Sequence, residues 1–240
     1  MKPLNTGAVI ERVFAIYVDQ APVLMPAAAV VFVFTGIVSE VLVRTARGLT
    51  PVSILITLVA STLFTGMVVE LVADVQDGRR DASVGRLLSA ATPVLGKLIL
   101  LGIVEAVGYA IGFVLLVVPC LILLTIWSVA APVVVLERAG VLAALRRSRE
   151  LVRGSGWQVF GVILLFLFGV IAVSLIIETS AAAAGTGAGI VARVVVGVLT
   201  APLPALAAGV LYFELGGRGS AGLPDGDAQP DAPRRAAGER

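Results

Sequence analysis

Long apolar runs separated by short polar segments dominate residues 22–215 of the chain. A helix of about 20 apolar residues crosses the hydrocarbon core of a bilayer, which is roughly 30 Å thick. A helix also satisfies its own backbone hydrogen bonds, which lipid cannot do. The pattern therefore predicts an all-α polytopic membrane protein with six transmembrane helices, at residues 22–43, 51–73, 93–117, 119–136, 157–177 and 190–213.

The third and fourth predicted helices meet at Pro119 without a polar loop between them. A single helix over residues 94–136 would measure about 65 Å at roughly 1.5 Å per residue, about twice the thickness of the core. Proline lacks the backbone N–H that the interior of a helix requires, so Pro119 marks the turn. We therefore predict two helices joined by a tight hairpin.

Three shorter segments have the apolar spacing of amphipathic helices, at residues 1–21, 82–92 and 137–153. They carry too many polar residues to span a bilayer, so we expect them to lie in the membrane interface. The apolar residues of the three predicted faces are Ile10, Val13, Phe14 and Tyr17; Val84, Leu87, Leu88 and Ala91; and Val141, Leu142, Leu145 and Val152.

Lysine and arginine are distributed unequally between the two sides that six crossings create. Of the 18 basic residues, 15 lie on the side of the two termini, and only Arg44, Arg47 and Arg193 lie on the other. Because cytoplasmic loops of membrane proteins are enriched in Lys and Arg, both termini are predicted to be cytoplasmic. Residues 216–240 are rich in Gly, Pro, Ala and charge, which predicts a disordered cytoplasmic tail.

Composition excludes several kinds of chemistry. Charged residues make up 14% of the chain, against about 25% in soluble domains, so we expect no separate soluble domain. Histidine, the commonest general base and metal ligand, is absent, and no phosphate-binding, zinc-protease or hydrolase motif occurs. The lone Cys120 is interpreted as a buried small apolar residue. We therefore expect no enzyme activity, no cofactor, no metal ion and no nucleic-acid partner.

Glu105 is the ionisable residue that lies deepest in a predicted crossing, about 12 Å beyond Lys97 along the same helix. Such residues are costly in a bilayer and are candidate functional sites. Tyr109 follows one turn later, and Gly108 and Gly112 favour close approach of another helix. Two interpretations stay open: a hydrogen bond that fixes packing, or a proton- or substrate-handling site. The second crossing offers three hydroxyl partners, on Thr57, Ser61 and Thr65.

Three other carboxylates lie near the ends of crossings, at Glu40, Glu70 and Glu178. End capping or snorkelling to the interface explains such positions. Glu178 ends the fifth crossing, and Arg193 begins the sixth on the same side, so we expect these two residues to pair.

The connection between the fourth and fifth crossings carries the densest positive charge in the chain. Basic residues beside an anionic leaflet contribute about 1 kcal/mol each. One interpretation is that these residues only set the topology; the other is that they bind anionic lipid or a protein partner. The candidate binding residues are Arg138, Arg146, Arg147, Arg149, Arg153 and Trp157.

Residues 8–219, and most specifically the core at 119–165, resemble a widespread bacterial family, the YciC-like inner-membrane proteins and the membrane domain fused to some glycerophosphodiester phosphodiesterases. The resembling residues are Pro119, Trp127, Pro132, Glu137, the AALRRS segment at 143–148, Leu151, Val152, Gly154 and Trp157, with LYFELGGRG at 211–219. Cys120 and Gly216–Gly217 depart from the pattern, which usually has glycine and a basic residue there. The resemblance implies a six-helix cytoplasmic-membrane protein of poorly defined role, without phosphodiesterase activity.

The leading hypothesis is a non-enzymatic protein of the bacterial cytoplasmic membrane that organises envelope or lipid processes through its basic cytoplasmic face. Its expected partners are membrane lipids, anionic ones included, and a membrane protein or a second copy of the chain. An alternative is a transporter or permease-like subunit that uses Glu105, with Pro202 and Pro204 kinking or splitting the sixth helix. A membrane-embedded lipid-modifying enzyme is the third alternative.

Overall fold

The computed structural model describes residues 5–45, 50–78, 83–115, 117–184 and 194–220. These residues are helical apart from short turns and contain no strand. The helices are α1 (Thr6–Asp19), α2 (Ala21–Thr45), α3 (Thr50–Gln76), α4 (Val84–Ala91), α5 (Leu95–Leu115), α6 (Val117–Trp127), α7 (Ala130–Leu136), α8 (Val141–Val152), α9 (Gly156–Ala184), α10 (194–200) and α11 (Pro202–Ser220).

Six stretches of the described residues are long and apolar enough to cross a membrane, which confirms an all-α polytopic membrane protein. Helix α11 continues to Ser220, past residue 216 where the tail was predicted to begin; residues 221–240 lie outside the described part. The six stretches are Ala21–Val38, Leu55–Gln76, Val84–Leu115, Val117–Leu136, Gly156–Ile177 and Val194–Gly216.

Helix α3 occupies the centre of the bundle and contacts α2, α4, α5, α7 and α11. Its C-terminal half is buried on several faces at once, at Val68, Val69, Leu71 and Val72. A helix that is apolar all round has no preferred outer face, so other helices can cover it on several sides. The remaining helices accordingly arrange themselves around α3.

The predicted hairpin is formed by α5 and α6, which pack closely along their lengths. A side-chain Cβ at Gly112 would lie 3.0 Å from the backbone N and Cα of Cys120, so the two backbones almost touch there. Pro119 lies in the first turn of α6 rather than in the connection. A first turn tolerates proline because its N–H groups have no partner within the helix.

The fourth predicted crossing, at 119–136, is two short helices rather than one continuous helix. Helix α6 ends at Trp127, and α7 begins at Ala130. Pro132, in the first turn of α7, has no N–H to donate to the carbonyl of Ser128, so the helical ladder is interrupted there. The span itself agrees with the prediction, but hydropathy stays high through the break and does not indicate it.

The sixth crossing is split by its prolines, at Ala201 between α10 and α11. Pro202 begins α11, a position where its missing N–H costs nothing. Near the break, the hydroxyl of Tyr17 donates a hydrogen bond to the carbonyl of Leu199 over 2.9 Å. Burial raises the pKa of the Tyr17 phenol above its ordinary value, so this hydroxyl stays a donor.

Helix α1 packs onto the bundle through a stripe displaced from the predicted one. Val9, Val13 and Ile16 are buried against α9 and α11, whereas Phe14 is 47% exposed. The predicted apolar face included Phe14 because that face was expected to meet the membrane interface, which accepts large side chains. A helix neighbour instead selects the β-branched stripe that fits between its own ridges.

Helix α4 packs on protein through part of its predicted apolar face. Leu87 and Ala91 are buried, whereas Val84 and Leu88 are exposed. Arg86 on α4 pairs with Asp74 at the end of α3, whose side chain is only 9% exposed. The contact of α4 with the bundle is therefore narrower than its apolar face, and an ion pair completes its attachment.

Candidate functional site

Helix α8 carries the basic segment and packs directly on the membrane helices α5, α6, α7 and α11. Ala144, Leu145, Ser148 and Val152 form its buried stripe. Leu142 belongs to the predicted apolar face of α8 but not to this stripe, and it is 70% exposed. Small side chains at 144 and 148 let α8 approach the bundle closely.

Ser148 joins α8 to the break between α6 and α7. Its Oγ donates to the carbonyl of Ile126 over 2.7 Å and accepts the backbone N–H of Val129 over 3.3 Å. The side chain is 0% exposed, so these backbone groups have no bulk water beside them. One hydroxyl thus satisfies a backbone acceptor and a backbone donor at the break. The sequence did not lead to a prediction of this role, although a serine among the apolar residues of α8 could have indicated it.

A second polar cluster holds the other side of α8. Glu137, at the end of α7, accepts a hydrogen bond from the hydroxyl of Tyr212 over 2.9 Å and faces the Arg147 guanidinium at 3.5 Å. Arg147 also lies 3.7 Å from a carboxylate oxygen of Glu150. Arg147 therefore offsets the carboxylate at the negative end of the α7 dipole, and its charge is engaged within the protein.

A groove of about 890 Å³ lies between α6, α8 and the start of α9. Its α6 wall is mainly apolar, and its α9 wall carries Trp157 and Phe160, whose rings meet edge to face at 5.7 Å. Arg149 and Arg153 also line it, and Ser148, next to Arg149, bonds to Ile126 near the end of α6. The α6 residues that line the groove are Val118, Leu121, Ile122, Thr125 and Ile126.

Arg149 and Arg153 give one end of the groove its charge. Neither forms an ion pair with any residue that the structure describes, and both side chains are exposed. Glu150 also lines the groove, but its charge is partly balanced by Arg147. The result is an amphipathic recess with an apolar body, a basic end, and an indole, on Trp157, that is 83% exposed.

The structure divides the six predicted binding residues into two groups. Arg149, Arg153 and Trp157 line the groove together. The other three do not line it: Arg147 is paired, Arg146 is exposed elsewhere on α8, and the backbone carbonyl of Arg138 accepts a hydrogen bond from Lys97 over 2.6 Å. The spacing of arginines along the chain does not reveal this division, because the division depends on where Glu137 lies in the folded protein.

Glu105 and Tyr109 lie on α5, and Glu105 is half-buried. The ring of Tyr109 lies 5.8 Å from that of Trp127, which also packs on Gly108. The predicted hydroxyl partners make other bonds: Thr57, Ser61 and Thr65 donate to carbonyls of their own helix. No hydrogen bond of the Glu105 carboxyl occurs among the described residues, so its proposed role stays a prediction.

The remaining candidate carboxylates are Glu40, Glu70 and Glu178, and only the side chain of Glu70 belongs to the described part of the chain. Glu70 is half-buried on α3, one turn before Asp74. The side chains of Glu40 and Glu178, and all of Arg193, lie outside the described part, so the Glu178–Arg193 pair stays a prediction. Among the described residues, no group of three or more His, Cys, Asp and Glu side chains could hold a metal ion.

Comparison with known proteins gives one informative similarity. A UPF0259 membrane protein of Pectobacterium carotovorum subsp. carotovorum is 31% identical to the chain over 134 residues. The chain is a multi-pass membrane protein with a bacterial membrane-protein relative. The match covers 56% of this chain and 53% of the relative, so the chain spans about half the length of that protein. No protein-family model and no solved structure matches it.

Proposed function

We propose that this protein is a non-enzymatic protein of the bacterial cytoplasmic membrane that binds anionic phospholipids at its basic face and thereby organises envelope or lipid processes. One observation carries the proposal: Arg149 and Arg153 lie beside an apolar groove without a carboxylate partner in the described part of the chain. Guanidinium groups bind phosphate through paired N–H donors, and an apolar wall suits the attached hydrocarbon.

The distribution of basic residues supports a cytoplasmic position for α8. Fifteen of the 18 Lys and Arg residues share its side of the membrane in the six-crossing topology. The cytoplasmic leaflet is anionic and attracts juxtamembrane arginines by about 1 kcal/mol each. In this orientation both termini are cytoplasmic, and the basic end of the groove meets the phosphate layer.

The resemblance to YciC-like proteins adds a spatial argument to the proposal. Residues that carry it come from several helices but gather around α8. Trp127 ends α6, Pro132 lies beyond the break, Ser148 bridges it, and Glu137 meets Tyr212. The region that most resembles the family is therefore the region that holds α8 and its groove in place.

Selective lipid retention tests the proposed function. The full chain, purified in detergent, is expected to retain phosphatidylglycerol in preference to phosphatidylcholine when both are added at equal concentration. The double substitution Arg149→Gln and Arg153→Gln is expected to weaken phosphatidylglycerol binding at least about tenfold, because two charge-assisted contacts are lost. Native mass spectrometry across a lipid titration measures both quantities.

Arg146→Gln is the matched control, since Arg146 is an exposed α8 arginine outside the groove. It removes one positive charge, against two in the double substitution, and is expected to change retention less than about twofold, as for a screened surface charge. Equal retention of the two lipids by the wild-type protein would contradict the proposal. An equal effect of Arg146→Gln and the double substitution would show that net charge alone is responsible.

A transporter or permease-like subunit is the second candidate function. The observation that favours it is the break at Ala201, which divides the sixth span into two helical pieces. Broken helices line substrate sites in several transporter folds. This candidate requires Glu105 to handle a proton or substrate within the membrane.

For that role, Glu105→Gln is expected to lower proton-coupled flux in proteoliposomes at least about tenfold, because a missing general base typically costs 10²–10⁴-fold. Glu11→Gln, on the exposed face of α1, is the control and is expected to leave flux unchanged. Flux that survives Glu105→Gln intact would remove this candidate. Retention of phosphatidylglycerol is expected to be the same in both variants.

A further inference from the structure

We infer that the groove between α6, α8 and α9 holds one anionic phospholipid molecule, with its phosphate between Arg149 and Arg153 and an acyl chain along α6. This inference rests on the proposed lipid-binding function and specifies its ligand. It differs from attraction to the leaflet as a whole, because a groove binds a fixed number of lipids and contacts the hydrocarbon as well as the headgroup.

The dimensions of the groove suit part of a lipid. Its volume of about 890 Å³ lies within the range of roughly 300–1,000 Å³ that small-molecule sites occupy. The wall on α6 runs from Ile126 to Val118, about 12 Å at roughly 1.5 Å per residue. Val118 and Ile122 are exposed along this wall. An extended hydrocarbon chain can therefore lie against α6 without entering the protein core.

The direction of the lipid follows from the contact between α8 and α6. Ser148 bonds to the carbonyl of Ile126, so the arginines that follow Ser148 lie at the Ile126 end of the wall. The acyl chain then extends towards Val118, at the start of α6. A headgroup bound at the opposite end would leave its phosphate beside apolar side chains, where an unpaired charge is costly.

Three features give the headgroup end a positive character. Arg149 and Arg153 each carry a full charge and a planar array of donors. Helix α9 begins at Gly156, which lines the groove, and the start of a helix carries partial positive charge from its free N–H groups. Glu150 is the one carboxylate on the lining, and its partner Arg147 lies 3.7 Å away. An anion is therefore favoured over a zwitterion.

Trp157 provides a reporter inside the proposed site. The chain contains two tryptophans, and the other, Trp127, packs against Gly108 and Tyr109. Trp127→Phe leaves Trp157 as the sole source of indole fluorescence. Bromine atoms on an acyl chain quench an indole only at short range, so quenching reports hydrocarbon beside Trp157 rather than a headgroup on the surface.

The test titrates the full-length Trp127→Phe protein, in detergent, with phosphatidylglycerol brominated on its acyl chains. We expect saturable quenching at about one lipid per protein. Phosphatidylcholine carrying the same brominated chains is expected to require at least about tenfold more lipid for half-maximal quenching. Arg149→Gln with Arg153→Gln is expected to abolish the difference between the two lipids, whereas Arg146→Gln is expected to preserve it.

A second measurement does not depend on how well the Trp127→Phe protein folds. In the otherwise wild-type chain, Trp157→Phe is expected to remove the headgroup-selective part of the quenching. The remaining indole, on Trp127, packs against Gly108 and Tyr109 and does not line the groove. Inorganic phosphate at the same concentrations is expected not to displace the brominated lipid, since it lacks the chain that occupies the apolar wall.

The outcomes separate this inference from the proposed function. Selective retention of phosphatidylglycerol without selective quenching of Trp157 would overturn the groove and leave the lipid-binding function standing. Equal quenching by both brominated lipids would overturn the role of the two arginines in the groove. A protein that neither retains anionic lipid selectively nor shows selective quenching would overturn both.

Discussion

Replacing Ser148 with alanine is expected to lower the free energy of unfolding by about 2–4 kcal/mol. The substitution removes the hydroxyl that serves both Ile126 and Val129 at the break between α6 and α7. Each buried backbone group left without a partner costs about 1–3 kcal/mol. Ser148 is fully buried, so bulk water cannot reach the site without moving α8.

Reversible unfolding in sodium dodecyl sulfate measures this change. Ser89→Ala is the matched control. Ser89 lies on the short amphipathic helix α4, and its hydroxyl donates only to the nearby carbonyl of Arg86. That local, exposed bond is expected to contribute less than about 1 kcal/mol. A loss at Ser148 no larger than the loss at Ser89 would mean that the hydroxyl does not hold the break together.

Replacing Gly112 with alanine is expected to destabilise the protein by about 1–3 kcal/mol, as overpacking of a close contact does. The added Cβ would lie 3.0 Å from the backbone N and Cα of Cys120. A backbone cannot rotate away as a flexible side chain can, so α5 and α6 must separate. On the same face, Gly108 packs against the ring of Trp127. This ring would move when the two helices separate.

Gly169→Ala on α9 is the control for Gly112→Ala, because a Cβ there meets no atom within 4 Å. Alanine is the better helix former by roughly 0.5–1 kcal/mol, so this variant is expected to be unchanged or slightly more stable. The same unfolding assay applies. If Gly112→Ala matched Gly169→Ala, the α5–α6 hairpin would not be as closely packed as the structure indicates.

Hydropathy and prolines were sufficient to predict the six spans and the α5–α6 hairpin. Apolar runs of this length have one stable solution in a bilayer, and Pro119 with Gly112 limits where the chain reverses. The break at residues 128–129 was harder to predict. Pro132 was visible, but its effect depends on Ser148, a residue of another helix that satisfies the broken ladder.

The faces of the amphipathic helices were predicted only in part. Periodicity identifies which side chains are apolar, but it does not distinguish a lipid surface from a packed helix. Leu142 and Phe14 are large and apolar, yet exposed, whereas Ala144 and Ser148 are small and fully buried. Close packing between membrane helices selects small residues, and this preference opposes the ranking by hydrophobicity.

The candidate site was predicted as five arginines and Trp157, which the structure places in different surroundings. Arg147 and Arg149 are two residues apart, but Glu137 engages the first, and the second lines the groove. Glu137 directly follows α7, and the groove lies between α6, α8 and the start of α9. No local pattern specifies this arrangement, because it exists only after four helices have packed.

The cytoplasmic position of α8 is the claim on which lipid binding most depends, and cysteine accessibility tests it directly. With Cys120→Ser, the sole native cysteine is removed, and Leu142→Cys places a new thiol on the exposed side of α8. A membrane-impermeant maleimide is expected to label it only after the cells are permeabilised. Gly187→Cys, in the connection predicted to lie outside, is expected to be labelled in intact cells. Labelling of Leu142→Cys in intact cells would contradict the proposed orientation and the contact of the groove with the inner leaflet.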